Sequence, residues 1–143
     1  MIVLDTTVLI YAKGSAHPYR EPCRRLIDAI ADGRLEAVTT VEVIQEFVHV
    51  RAQRRERSDA AALGGDYVDL LAPLLAVTDE HLRRGLALFE SNQRLGAFDA
   101  VLAATAIDVD ARALVSADGA FAAITGLPHV VPDDDGVAKL ING

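Results

Sequence analysis

The sequence predicts an α/β fold of three layers, with helices on both faces of a central, mostly parallel sheet of about five strands. Three observations predict it. Short apolar runs without alternation, such as "IVLD" at 2–5, read as strands buried on both faces. Longer stretches with apolar residues at helical spacing separate them, and strands alternating with helices build parallel sheets. One helical stretch, "FDAVLAATAIDV" at 98–109, is Ala-rich and nearly all apolar, which implies burial against the sheet. At 143 residues the chain fits one domain spanning 1–143, long enough for a substantial core.

Taken in order, the first strand at 2–5 runs into a short helix from Thr6 to Ala12 that breaks at Gly14. "PYREPCRRLIDAIADG" (18–33) reads as a helix with Leu26, Ile27 and Ile30 on one side and Gly33 at its end. "LEAVTT" (35–40) reads as a strand. "VEVIQEFVHVRAQRR" (41–55) is a helix whose Val43, Phe47 and Val50 recur at helical spacing. Another helix follows at 59–74, weakened by Gly64 and Gly65. "LLAVTD" (74–79) is expected to add a strand, and 79–93 a helix capped by Asp79. After the apolar helix come "ALVSAD" (113–118), a strand ending on an acid as the first does, and a last short strand at 129–132. No repeat, linker or low-complexity tract interrupts the order.

Composition narrows the class. The chain is 51% hydrophobic and 24% charged, as in ordinary globular proteins. No apolar run approaches the roughly 20 residues of a membrane-spanning helix, and no secretory signal is evident. The single Cys23 excludes an internal disulfide framework and a cysteine zinc site, so a reducing, cytoplasmic setting is expected. A net charge of −7 argues at first against nucleic acid, but its distribution matters more than its total. "RAQRRER" (51–57) carries four Arg against one Glu, and Arg20, Arg24 and Arg25 form a second cluster, while "DDD" (133–135) concentrates negative charge elsewhere. Either basic cluster also reads as a solvated helix face.

In parallel sheets the functional crevice lies beyond the carboxyl ends of the strands, where Asp5 and Asp118 are expected. Each acid alone has a structural reading. Asp5 suits the cap of the helix starting at Thr6. Asp99 suits the cap of its own helix, with Phe98 as a hydrophobic staple. Asp118 before Gly119 suits a turn. Glu46 is harder to explain, because it lies near the apolar stripe of its helix, where a carboxylate is costly unless paired. Glu42, one turn earlier, reads as the solvated edge of that stripe. If the four acids Asp5, Glu46, Asp99 and Asp118 converge, their repulsion requires a cation between them. An oxygen-only donor set suits Mg²⁺ or Mn²⁺. Such an ion activates water and offsets charge at a phosphodiester under in-line attack. The hydroxyls of Thr6 and Ser116 stand beside acids at both strand ends, fit to hydrogen-bond a carboxylate or a phosphate.

"VLDTT", "TTVEVIQEF", "GAFDAVLAATA" and "ALVSADGAF", in this order across essentially the whole chain, resemble the PIN domain, most closely the VapC-like toxin ribonucleases of toxin–antitoxin modules. The resemblance implies a compact α/β/α domain and a Mg²⁺- or Mn²⁺-dependent endoribonuclease, usually a homodimer, restrained by a small cognate antitoxin. It implies that Asp5, Glu46, Asp99 and Asp118 form the acidic catalytic quartet, with Asp5, Asp99 and Asp118 holding the metal. Thr6 and Ser116 would support them. Two departures stand out: Ser116 occupies a position where relatives more often carry Thr, and Ala120 one where many carry a further acid. The latter favours one tightly held ion over two.

The expected chemistry is therefore hydrolysis of an RNA phosphodiester, with Glu46 ligating the ion or orienting the water. Arg51, Arg54 and Arg55, following Glu46 on the same helix, are candidates to hold the RNA backbone. A haloacid-dehalogenase-type phosphatase also opens with an Asp after a buried strand, but needs a second Asp where Thr7 stands, and no lysine lies between Lys13 and Lys139. A phosphate-binding loop of the G-x-x-x-x-G-K type is absent. The non-enzymatic alternative is a catalytically inactive PIN-like module that binds RNA or protein, against which the presence of all four acids speaks.

Overall fold

The computed structural model describes residues 1–143. Four short strands form one parallel sheet: β1 (Ile2–Leu4), β2 (Ala37–Val38), β3 (Ala113–Val115) and β4 (His129–Val130), in the order β2-β1-β3-β4. Side chains of β1 and β3 are buried whichever way they point, so both faces of the sheet are covered, as the unbroken apolar runs predict. Register places Leu4 opposite Val115. Asp5 and Ser116 therefore leave the sheet side by side, at its carboxyl edge. The chain steps from β1 to β2 on one side and returns much later to β3 on the other, which opens a crevice at that edge.

The helices are α1 (Thr6–Lys13), α2 (Arg20–Ala31), α3 (Val41–Ala52), α4 (Arg57–Leu71), α5 (Asp79–Ser91), α6 (Ala97–Asp108) and α7 (Asp134–Asn142), with a 3₁₀ turn over Gly119–Ala123. The family-like α/β/α architecture stands, with differences from expectation. The sheet has four strands rather than about five. Residues 74–79 make one bridge, Leu75 to Thr40, and no strand; Leu74, Leu75 and Val77 are only half-buried, and Thr78 already begins the next helix. The cap of α5 is that Thr78 rather than Asp79. Its hydroxyl accepts from the His81 amide, and His81 Nδ1 accepts from the Thr78 amide, a reciprocal capping box. His81 Nε2–H then donates to Asp108 at 2.9 Å and holds its carboxyl below the usual range, fastening α5 to the end of α6. The acidic run 133–135 forms the start of an unforeseen helix, α7: Asp133 caps it by accepting from the Gly136 amide at 2.7 Å. Asp134 and Asp135 lie in its first turn, where the helix dipole favours them.

One apolar core of 30 residues includes Phe47, Phe121, Leu9, Leu26 and all of β1 and β3. The apolar α6 is buried from Leu102 to Ala106 and lies hard against α5. Gly85 permits that approach, since a Cβ there would stand 2.7 Å from Val101 Cγ2 and 2.8 Å from its Cα. No helix is long and apolar enough to cross a membrane. Replacing Gly85 with Ala should therefore lower stability by about 1–3 kcal/mol through overpacking, seen as a lower urea midpoint at unchanged slope. Gly65→Ala, where a Cβ meets open space, should instead be neutral or stabilising.

Candidate active site

Asp5 follows β1 and precedes α1 in extended backbone, yet its side chain caps nothing, which corrects the helix-cap reading. The carboxylate is turned sideways toward β3 and is 4% exposed. Its Oδ2 accepts from the Ser116 hydroxyl at 2.6 Å and from the Thr7 hydroxyl at 3.0 Å. Both hydroxyls are held in turn: Thr7 Oγ1 accepts from the Ala117 amide and Ser116 Oγ from the Asp118 amide, each at 3.0 Å. The Ser116 carbonyl accepts from His129 Nε2–H at 2.9 Å. Ser116 thus occupies the expected supporting position. Thr7, which the sequence reading weighed only as a missing Asp, is the residue that joins it. The legible signal was a second hydroxyl at the strand end of "LDTT".

Thr6, expected to play that part, does something else. It is buried, and its Oγ1 has no hydrogen-bond partner. A buried hydroxyl of this kind is costly, and only the groove beside it offers a ligand.

Asp99 lies in the first turn of α6, whose cap is Gly96, so the expected capping role and its staple are both absent. Phe98 is 82% exposed and packs on nothing. The Asp99 carboxyl is pushed up to about 7, first by burial and then by the charges of Asp5, Asp118 and Glu46. Asp99 therefore feels the charge of all three other expected acids. Asp118 is exposed and fulfils its structural reading as well: Oδ1 accepts from the Ala120 amide at 2.9 Å and caps the 3₁₀ turn. Glu46 is exposed too, facing the groove rather than the core, so its helix carries it at no burial penalty.

Asp5, Thr6, Glu42, Glu46 and Asp99 line a single groove of about 1350 Å³. Ser116 and Asp118, which follow β3, are outside that lining; Ser116 joins it through its bond to Asp5, and Asp118 through its charge on Asp99. The groove runs between α3 and α6 to the start of α4, where Arg57 and His49 line it. The expected basic residues fall elsewhere. Arg51 is held by Asp59 at 2.7 Å and by the Lys13 carbonyl at 2.9 Å, so it braces α1, α3 and α4. Because α3 ends at Ala52, Arg54 and Arg55 lie in the turn beyond it, exposed and off the groove lining.

The donor set suits a hard divalent cation. It contains only oxygens, it includes an orphaned hydroxyl, and burial with the charge of three other carboxylates raises Asp99 to about 7, a cost that a cation would offset. As they stand, no three ligating side chains are close enough to enclose an ion, so binding requires the carboxylates to turn inward.

Residues 2–127 match the PIN domain family. The chain belongs to that family. Within it, this PIN protein is 57% identical to Ribonuclease VapC7 of Mycobacterium tuberculosis, over 99% of this chain and 98% of that protein. It is 33% identical to Ribonuclease VapC13 of the same organism, over 91% of this chain and 99% of the relative. The PIN fold also superposes on a chain from the crystal structure of VapBC2 of Rickettsia felis bound to a promoter DNA fragment, with a TM-score of 0.71 and 16% identity over 92% of this chain and 98% of that one.

A carboxyl raised from 3.8 to about 7 binds its proton more tightly folded than unfolded. Folding then takes up a proton between those values, so the metal-free protein should lose stability as pH rises from about 4 through about 7. Thermal melts in chelator at about pH 5 and about pH 8 should show this loss, and Asp99→Asn should flatten it. A slope that survives the substitution would place the responsible group elsewhere.

Proposed function

We propose that this chain is a metal-dependent endoribonuclease and the toxin of a toxin–antitoxin pair. The carrying observation is the buried Asp5 carboxylate, locked by two hydroxyls at the sheet edge and sharing a groove with Glu46 and a half-neutralised Asp99. Similarity to ribonucleases of the VapC type over nearly the full chain supports the same reading.

In this reading Asp5, Asp99 and Asp118 would hold Mg²⁺, or Mn²⁺ in its place. The ion, when bound, supplies a more acidic water and positive charge beside the phosphate. Ser116 and Thr7 fix Asp5 in one orientation, so the turning that an ion would require falls to Asp99 and Asp118. Asp99, raised to about 7 without an ion, would have to release its carboxyl proton to hold one. Glu46, exposed at the mouth of the groove, orients the attacking water. Arg57 holds the RNA backbone, with Arg54 and Arg55 farther along the same surface. An inactive binding module would have no use for a buried carboxylate held this way, and the phosphatase reading finds Thr7 bonded to Asp5 where its general acid should be.

The antitoxin reading rests on the groove's other wall. Val43, Val48, Leu82, Val101 and Leu102 line it alongside the acids. An amphipathic helix fits such a wall, and one basic side chain from it would reach the carboxylates and shut out RNA. A homodimer is proposed from Leu86 and Phe89 of α5, 50% and 47% exposed and one turn apart, an apolar stripe that a second copy would cover.

Purified protein should cleave RNA with Mg²⁺ and stop on chelation, and Asp99→Asn should lower kcat at least roughly a hundredfold. Equal cleavage by both proteins would trace the activity to a contaminant. Expression alone should arrest growth, and co-expression of the small protein encoded beside it should restore growth. Leu86→Glu should shift a dimer to monomer in sedimentation; an unchanged mass moves the dimer surface off α5.

A further inference from the structure

Phe98 is the most exposed large apolar side chain in the molecule, at 82%. Such a ring is normally buried, and its position makes the exposure informative. It lines the groove together with Asp5, Thr6, Asp99 and Arg57. It precedes Asp99 directly, so its Cα stands about 3.8 Å from that of the acid. Gly96 and Ala97 before it are exposed and small, and a Cβ on Gly96 would meet nothing within 4 Å. The ring therefore rises from a low shelf with room above it. It does not sit on a pliable loop, because α6 is clamped to α5 through the close contact of Gly85 with Val101.

A strand of nucleic acid placed with one phosphate at Asp99 must set a neighbouring base within reach of that ring. Aromatic faces bind bases by stacking, tolerant of sequence, but only bases that are out of a helix. Arg57 carries the complementary charge: it opens α4 on the same groove and forms no ion pair with any acid. Acids, a free cation and an unused aromatic face on one groove match a polyanion with exposed bases. A protein helix would also cover the ring, but would not require it to stand next to the reacting acid.

We propose that Phe98 is a stacking platform for the base beside the scissile phosphate, which restricts the chain to unpaired RNA. This rests on the nuclease reading above, and its test separates the two. Asp99→Asn protein in Mg²⁺ is titrated with a short single-stranded oligoribonucleotide carrying 2-aminopurine, and cleavage kinetics are measured on otherwise unaltered protein. The base analogue should be quenched on binding, and adding Phe98→Ala should abolish the quench without altering the melting curve. In the cleaving protein Phe98→Ala should raise KM roughly tenfold with kcat nearly kept. Phe98→Trp should restore both readouts and Phe98→Leu neither, and the same sequence as a duplex should be a poor substrate.

Unchanged quenching and KM in Phe98→Ala overturn the proposal, as does a duplex cut as readily as the strand. Unchanged RNA kinetics with lost inhibition by the adjacently encoded protein overturn it too, assigning the ring to a protein interface. If the parent protein cuts no RNA, the nuclease reading falls, while the quench still decides whether the ring meets bases.

Discussion

Carboxylates crowded at one rim of a sheet repel each other, and a buried one is costly unless its oxygens are satisfied. The structure meets this constraint with the two hydroxyl bonds from Ser116 and Thr7 to Asp5. The bond from Ser116 exists because β1 and β3 are paired in one register, with Leu4 level with Val115, and Thr7 adds its own from the start of α1. A slip of one residue would turn Ser116 to the other face and leave Asp5 with Thr7 as its one hydroxyl partner. The amides of Ala117 and Asp118 extend the same network into the turn that carries the fourth acid. That strand pairing fixes the sheet-edge half of the site, while Glu46 and Asp99 are placed by α3 and α6.

Around that fixed edge the helices form the groove. Two close helix pairs make its walls: α5 with α6 at Gly85, and α3 with α4 at Gly64, where a Cβ would meet Val48 Cγ2 at 2.5 Å. Arg51, half-buried between Asp59 and the end of α1, ties the second wall to the first helix. A basic residue in an acidic chain was thus used for bracing, and the cation that faces the site is Arg57. The net charge of −7 is unevenly spread: some of it gathers at the groove, while other acids, such as Asp133–Asp135, lie at the start of α7.

Fold similarity at 16% identity and 57% identity to a full-length relative say different things. The first shows a shared fold and nothing finer. The second covers the groove as well as the core, including surface positions that packing leaves free.

Much was determined by local sequence alone. Unbroken apolar runs at 2–4 and 113–115 specify doubly buried strands, and the apolar helix at 97–108 announces its own burial. The four acids were legible because each stands at an element boundary or on a groove-facing turn. Other features depended on partners distant in the chain. The run at 74–79 has strand-like residues but only one bridge available beside Thr40, so it stays irregular. Whether Thr6 or Thr7 met Asp5 depended on which hydroxyl the α1 start turned toward β3, some 110 residues away. Phe98 read as a staple because local spacing cannot reveal that nothing packs above it. Periodicity and end signals act within a few residues of chain, whereas hydrogen-bond partners and exposure are set by which segments meet in space.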